Sequence, residues 1–386
     1  MRIERPIYLR QLQDRMHNGM VKIVTGLRRS GKSFLLFELF RQHLLESGVA
    51  PERIVGLELD ARRDERYRDP DALLAFVEAQ TSAPGRHYLF LDEVQLLRDF
   101  VPVLNELLRH RELDVYVTGS NSRFLSSDVL TEFRGRGDEV RLHPLTFAEY
   151  CTAFPGSRES AWQEYMTYGG LPQILAMAND AQKSDFLKNL FAMTYVQDIR
   201  ERNQIRHEAE LGELLNVLAS ATGSLTNPRK LAQTFQSKRG APFPESTINR
   251  YCRFLEDAFL LSKALRYDVK GKEYINTPFK YYFEDVGLRN ARLNFRQQEE
   301  NHIMENVIYN ELRCRGFSVD VGVVECREKQ ADGKMSRKQF EVDFVANSGN
   351  RRYYLQSAFA LDLPAKEEQE KRSLRKIDDS FKKIVV

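Results

Sequence analysis

Gly26-Leu27-Arg28-Arg29-Ser30-Gly31-Lys32-Ser33 fits the pattern G-x-x-x-x-G-K-[ST] without a gap. The apolar run Val21-Lys22-Ile23-Val24-Thr25 reads as a buried strand entering the loop, and Phe34-Leu35-Leu36-Phe37-Glu38-Leu39-Phe40 as a helix leaving it. A loop of this kind turns backbone N–H groups inward around phosphates and aims a helix N-terminus at their charge. Gly26, Arg29, Ser30, Gly31, Lys32, Ser33 and Phe34 are therefore the candidate contacts to a nucleoside triphosphate. Lys32 is expected to reach the β- and γ-phosphates, and the Ser33 hydroxyl to hold Mg²⁺.

Hydrolysis needs a second, acidic strand end. Tyr88-Leu89-Phe90-Leu91-Asp92-Glu93 supplies it, with Asp92 read as the Mg²⁺-linked carboxylate and Glu93 as the general base. Between the two motifs there is room for a strand at 53–60 and a helix near 71–80. A further strand, Asp114-Val115-Tyr116-Val117-Thr118, runs into Gly119-Ser120-Asn121-Ser122. Ser120 or Asn121 could sense the γ-phosphate from there, and so could a plain polar turn be written. A fifth strand is expected at 138–142. Together these elements predict an α/β fold, a P-loop NTPase parallel sheet of about five strands.

The series GLRRSGKS, LFLDEVQ, VTGSNS, GRGDEVRLHPLTFAEY and YMTYGGLP, in this order, resembles the bacterial AAA-type ATPases that carry a C-terminal domain of unknown function. The resemblance covers nearly the whole chain. It implies ATP with Mg²⁺, and it places a candidate arginine finger at Arg136, with Arg134 as competitor, acting on its own or a neighbouring subunit's nucleotide. A planar guanidinium suits a γ-phosphate because it spreads several donors over the charge. The adenine preference rests on the resemblance alone, because no base-reading residue stands out in the sequence.

The 386 residues suffice for several cores, and 29 % charged with 42 % apolar residues is ordinary for a globular protein. A net charge of +3 is too small to argue for nucleic acid. No apolar run has the length of a membrane span. The scattered Cys151, Cys252, Cys314 and Cys326 fit a reducing cytoplasm, and the histidines form no metal-ligand spacing.

The expected divisions are an ATPase core at 1–146, a helical lid at 147–204, a winged helix at 205–292 and a small α+β nuclease-like domain at 293–386. In the lid, Gly169-Gly170-Leu171-Pro172 stops a helix and reads as either a hinge or a cap. In the winged helix, Asn227-Pro228 opens one helix and 245–260 forms an amphipathic one. From Asn227 to Lys280 there are 11 Lys/Arg against 5 Asp/Glu, an excess that fits phosphate contacts. Lys238, Arg239, Arg250, Arg253, Lys270 and Lys272 are the candidate contacts to duplex DNA. A protein partner, or self-association, is the alternative use of such a unit.

The tail resembles the PD-(D/E)XK nuclease fold. Glu305 on a helix and Asp343 on a strand stand in place, but the E-x-K element has become Gln356-Ser357-Ala358. Loss of the lysine implies a retained fold without phosphodiesterase activity. An ATP-regulated nuclease is the weaker alternative. The final apolar strand suggests a C-terminus cut short.

Overall fold

The computed structural model describes residues 2–119, 135–205, 207–239, 243–329, 335–359 and 364–386. It divides into two compact units. The first comprises 1–153, 171–176 and 257–259, and the second 154–170, 177–256 and 260–386.

The first unit is built on β1 (Val21–Gly26), β2 (Ile54–Glu58), β3 (His87–Asp92), β4 (Leu113–Thr118) and β5 (Gly137–Leu142), all parallel, in the order β2-β3-β4-β1-β5. β1, β3 and β4 are buried along their whole length, as strands covered on both faces must be. On one face Val21, Ile23, Leu89, Leu91, Val115 and Val117 form a continuous core with Leu73, Val77, Leu104 and Leu107 from the helices Pro70–Gln80 and Phe100–Leu107. Parallel pairing brings the C-terminal ends of the strands to one edge. Val24 lies beside Thr118, and Gly26 beside Leu142. Glu58 lies beside Asp92. The loop at Gly26 and the acids at Asp92 therefore share that edge.

The second unit contains the helices Glu208–Ser220, Pro228–Arg239 and Glu245–Asp257, with β6 (Leu225–Thr226) between the first two and the hairpin β7 (Leu261–Asp268) and β8 (Glu273–Phe283) after the third. Then come the helix Glu300–Cys314, β9 (Ser318–Lys329), β10 (Met335–Ser348), β11 (Arg351–Gln356), the helix Pro364–Arg375 and β12 (Lys382–Val385). These strands form one sheet of seven, β12-β11-β10-β9-β7-β8-β6. The seam is β7 against β9, parallel, from Arg266 beside Val321 to Asp268 beside Val323. The boundaries drawn from sequence at 204/205 and 292/293 thus fall inside one unit, because hydrogen bonding continues across the second of them.

The Gly169-Gly170 pair is a packed helix end. Gly169 closes the helix Arg158–Tyr168 at φ +77°, and a Cβ there would lie 2.3 Å from Asp285 Oδ1. The Asp285 carboxylate accepts hydrogen bonds from Gly170 N (2.8 Å) and Leu288 N (3.0 Å), the second as cap of the helix Val286–Arg292.

Candidate active site

β1 ends in the phosphate loop because Gly26 takes a conformation no other residue tolerates. Its φ is +133°, and a Cβ would lie 2.0 Å from the Leu142 carbonyl oxygen. Arg29 (φ +67°) and Gly31 (φ +97°) also lie in the left-handed region. For Arg29 this costs about 1–3 kcal/mol, the kind of strain that functional loops retain. Lys32 opens the following helix, which continues as a π-helical stretch over Leu35–Phe40.

The Lys32 side chain is buried and donates to the carbonyls of Gly26 and Leu27, each at 3.1 Å. Burial pulls its ammonium down to about 8, against the opposing pull of Glu93 and Asp92. Asp92 is buried, and burial raises it above the usual carboxylate range. Hydrogen bonds from Thr118 and Ser33 oppose that shift. The two residues expected to hold Mg²⁺, Ser33 and Asp92, are therefore in mutual contact. Both offer hard oxygen donors, which suits an ion that keeps most of its ligands as water and phosphate. Among the described residues no group of three or more His, Cys, Asp or Glu converges as a metal cage.

Glu93 takes a left-handed conformation (φ 48°) and its N–H donates to Thr118 Oγ1 at 3.1 Å. Gln95 Nε2 donates to the Glu93 carboxylate. Thr118 thus connects both acids, from the strand end where a sensing side chain was sought. Ser120 and Asn121, the sequence candidates for that role, lie outside the described residues together with Arg134. Thr118 is the last residue of β4, beside β3, which ends at Asp92.

Arg5 is a second residue the motifs did not point to. It is buried and donates to Glu149 Oε1 (3.0 Å), His143 O (2.7 Å), Pro144 O (3.3 Å) and the loop carbonyl Ser30 O (3.3 Å). Beside it lies a cavity of about 180 Å³, with Ile3, Phe34, Leu145 and Pro172 as apolar walls and Ser30 and Gln173 as polar ones. The cavity begins at the phosphate loop itself. Its volume is well below the roughly 300–1,000 Å³ of a whole ligand site.

Arg136 is exposed and donates to Asn105 Oδ1 at 3.1 Å. It precedes Gly137, which lies beside Val21 at the start of β1, whereas the phosphate loop follows the end of that strand. At about 3.3 Å per residue, some 16 Å of strand separate the two. Arg136 thus stands at the opposite end of β1 from the phosphate loop of its own chain.

In the second unit, Arg250, Arg253, Lys270 and Lys272 are all exposed. The first two lie on the helix Glu245–Asp257 and the other two on the hairpin turn, where Val269 N donates to Val323 O at 2.9 Å. Lys238 and Arg239 end the preceding helix.

The tail follows the order helix, three strands, helix, strand, with β9, β10, β11 and β12 adjacent in that sequence. Glu305 and Asp343 are buried beside each other's charge. Gln356 Oε1 lies 3.5 Å from Asp343 N, and Ser357 N donates to Asp343 Oδ2 at 2.7 Å. The E-x-K position holds Ala358, and a cation reaches the centre from another strand. Lys280 of β8 is buried and its Nζ lies 2.9 Å from Glu305 Oε1 and 2.7 Å from Glu341 Oε1. Burial alone would lower its ammonium, but Glu305, Glu341 and Asp343 hold it above the ordinary lysine value. Burial and Glu305 push Asp343 up to about 7, against Lys280. The lysine escaped notice because it arrives from another strand, inside the aromatic run Phe279-Lys280-Tyr281-Tyr282-Phe283. It also leaves the exposed basic excess one charge smaller than counted.

No helix among the described residues is long and apolar enough to cross a membrane. Residues 18–151 match the AAA domain family, and residues 159–299 a domain of unknown function. An uncharacterized protein of Haemophilus influenzae is 32 % identical over 100 % of this chain and 93 % of its own length. An uncharacterized protein of Methanocaldococcus jannaschii is 25 % identical over 96 % of this chain and 81 % of its own. The Aeropyrum pernix ORC1 protein, solved in complex with DNA, is 12 % identical over 76 % of this chain and 92 % of that one, at a TM-score of 0.31.

Proposed function

As the chain belongs to the AAA-type P-loop ATPases that carry a C-terminal domain of unknown function, we propose that it hydrolyses ATP and that the second unit responds to the nucleotide. The observation that carries this reading is the junction of Lys32, Ser33, Asp92, Glu93 and Thr118 at one sheet edge.

The inward N–H groups of the loop bind the phosphates, and the Lys32 ammonium exchanges its two carbonyl partners for β- and γ-oxygens. Mg²⁺, when bound, neutralises phosphate charge, and Ser33 and Asp92 are the side chains that would hold it. Glu93, fixed through its own N–H by Thr118, orients water in line and takes its proton. Arg136 serves the nucleotide of an adjacent copy.

Glu93→Gln is expected to retain ATP binding and lose about 10²–10⁴-fold in turnover, whereas Lys32→Ala weakens both. Phosphate release and isothermal titration calorimetry on the two variants test this. Full turnover by Glu93→Gln would remove the base assignment.

The three helices, β6 and the β7/β8 hairpin support a winged-helix reading, with Arg250, Arg253, Lys270 and Lys272 available for duplex phosphates. Binding to a duplex that weakens steeply with salt would support it; absence of a mobility shift at low salt would favour a protein partner. The tail is read as without phosphodiesterase activity, because Gln356-Ser357-Ala358 stands where the E-x-K element would supply an acid and a lysine.

A further inference from the structure

One face of the sheet in the second unit carries a row of aromatic rings with a guanidinium among them. Tyr267 of β7 and Tyr274 of β8 are cross-strand partners, their ring centroids 5.4 Å apart. Arg352 of β11 sets its guanidinium 5.3 Å from the Tyr267 ring and 5.4 Å from the ring of Phe381, which immediately precedes β12. The two rings that end the row are open to water, Tyr274 at 55 % exposure and Phe381 at 39 %. Large rings left in solvent side by side are the kind of surface that calls for a partner.

This row is separate from the carboxylates around Lys280. Tyr282, Tyr309 and Phe344 form the core beneath the helix Glu300–Cys314, which bears Glu305. Tyr267 packs instead against the other core, with Val342, Val345 and Tyr354, and with Leu374 from the helix Pro364–Arg375.

We infer that the row is a stacking platform for an unpaired nucleic-acid strand. Every base has a π-face, and an aromatic ring or a guanidinium plane stacks on it whatever the base. A duplex keeps those faces in its own stack and cannot offer them. Lys272 is exposed two residues before Tyr274, and Lys382 is exposed next to Phe381, so each open ring has an ammonium near it for a phosphate. Acids within the row are turned to protein donors. Asp320 accepts from the Tyr274 hydroxyl at 3.1 Å, and Asp379 from the Tyr354 hydroxyl at 2.6 Å and from Phe381 N at 3.1 Å. Glu273 and Asp378 are exposed and offset part of the basic charge, so stacking carries the larger share of the affinity. The inference does not rest on the nucleotide reading above.

The test is fluorescence anisotropy of the full chain with three labelled probes of equal length, about 12 nucleotides: an oligothymidylate, an abasic strand that keeps the sugar and phosphates, and a duplex. The oligothymidylate is expected to bind on the order of 10- to 100-fold more tightly than the abasic strand. Tyr274→Ala with Phe381→Ala should remove most of that difference, while Tyr274→Phe, which keeps the ring and loses only the hydroxyl, should retain it. Equal affinity for the oligothymidylate and the abasic strand would overturn the inference, and so would an unchanged difference in the double variant. Tighter binding of the duplex than of the single strand would also overturn it, as would no binding of any probe. The abasic comparison needs no variant, so it holds even if the double variant is unfolded.

Discussion

Replacing Arg5 by Met is expected to destabilise the first unit severely, and replacing its partner as well to restore much of the loss. Arg5 and Glu149 have only 4 % and 8 % of their side chains exposed and pair at 3.0 Å. Glu149 also accepts from Thr146 N (2.9 Å) and Thr146 Oγ1 (3.1 Å), so its charge is held in place by three donors. Removing the guanidinium leaves a buried carboxylate without its counter-ion, at a cost of about 3–5 kcal/mol. It also removes the donor to Ser30 O, which lies inside the phosphate loop. In Arg5→Met with Glu149→Leu no charge is orphaned. What remains is the lost cap of Thr146, about 1 kcal/mol, and three carbonyls without their charged donor. The double variant should therefore lie about 2 kcal/mol above Arg5→Met alone. Urea unfolding followed by circular dichroism measures the cycle, and hydrogen exchange at residues 27–33 reports the loop directly. A double variant as unstable as the sum of the two single ones would refute the argument, because the charges would then not be coupled.

Three further outcomes follow from the same geometry. Arg136→Ala should lose about 10³-fold in turnover, and mixing it with Glu93→Gln should restore activity, since each copy supplies what the other lacks; no restoration would deny action across subunits. Asp285, wholly buried, is raised to about 6, so the folded state binds its proton more tightly than the unfolded one. Stability from this group is complete below about pH 4 and is lost as pH rises through 6, by about 3 kcal/mol. Asp285→Asn should flatten that slope in pH-dependent urea titrations, and an unchanged slope would place the titration elsewhere. Lys280→Met should cost the second unit about 3–5 kcal/mol at neutral pH and less in acid, where Asp343, raised to about 7, accepts a proton; equal destabilisation at pH 5 and pH 8 would show the ion pair to be inessential.

The nucleotide site was largely legible because its chemistry is local. A strand, a glycine loop and a helix start lie within a few residues of one another, and the acids terminate an apolar run that periodicity alone identifies. Thr118 and Arg5 were not legible. Each acts through a residue far away in sequence, Asp92 and Glu149, and nothing in a single chain marks such a pair. Lys280 shows the same limit from the other side. The E-x-K position holds Ala358, while a cation arrives with Lys280, 78 residues earlier (358 − 280). Arg136 gave the opposite result: sequence left its place open, and strand register sets it at the far end of β1 from the phosphate loop.

The parallel seam of β7 and β9 changes what the tail is for. A hairpin with one flank bare would offer its outer backbone to any stray strand, and chains would stick to one another along that rim. Here the tail covers it. The tail serves the hairpin as a bandage, and any tilt of the hairpin must be passed on, rung by rung, to the far border at β12. Shearing the molecule after Arg292 is thus expected to yield clumping protein, whatever the tail's chemistry.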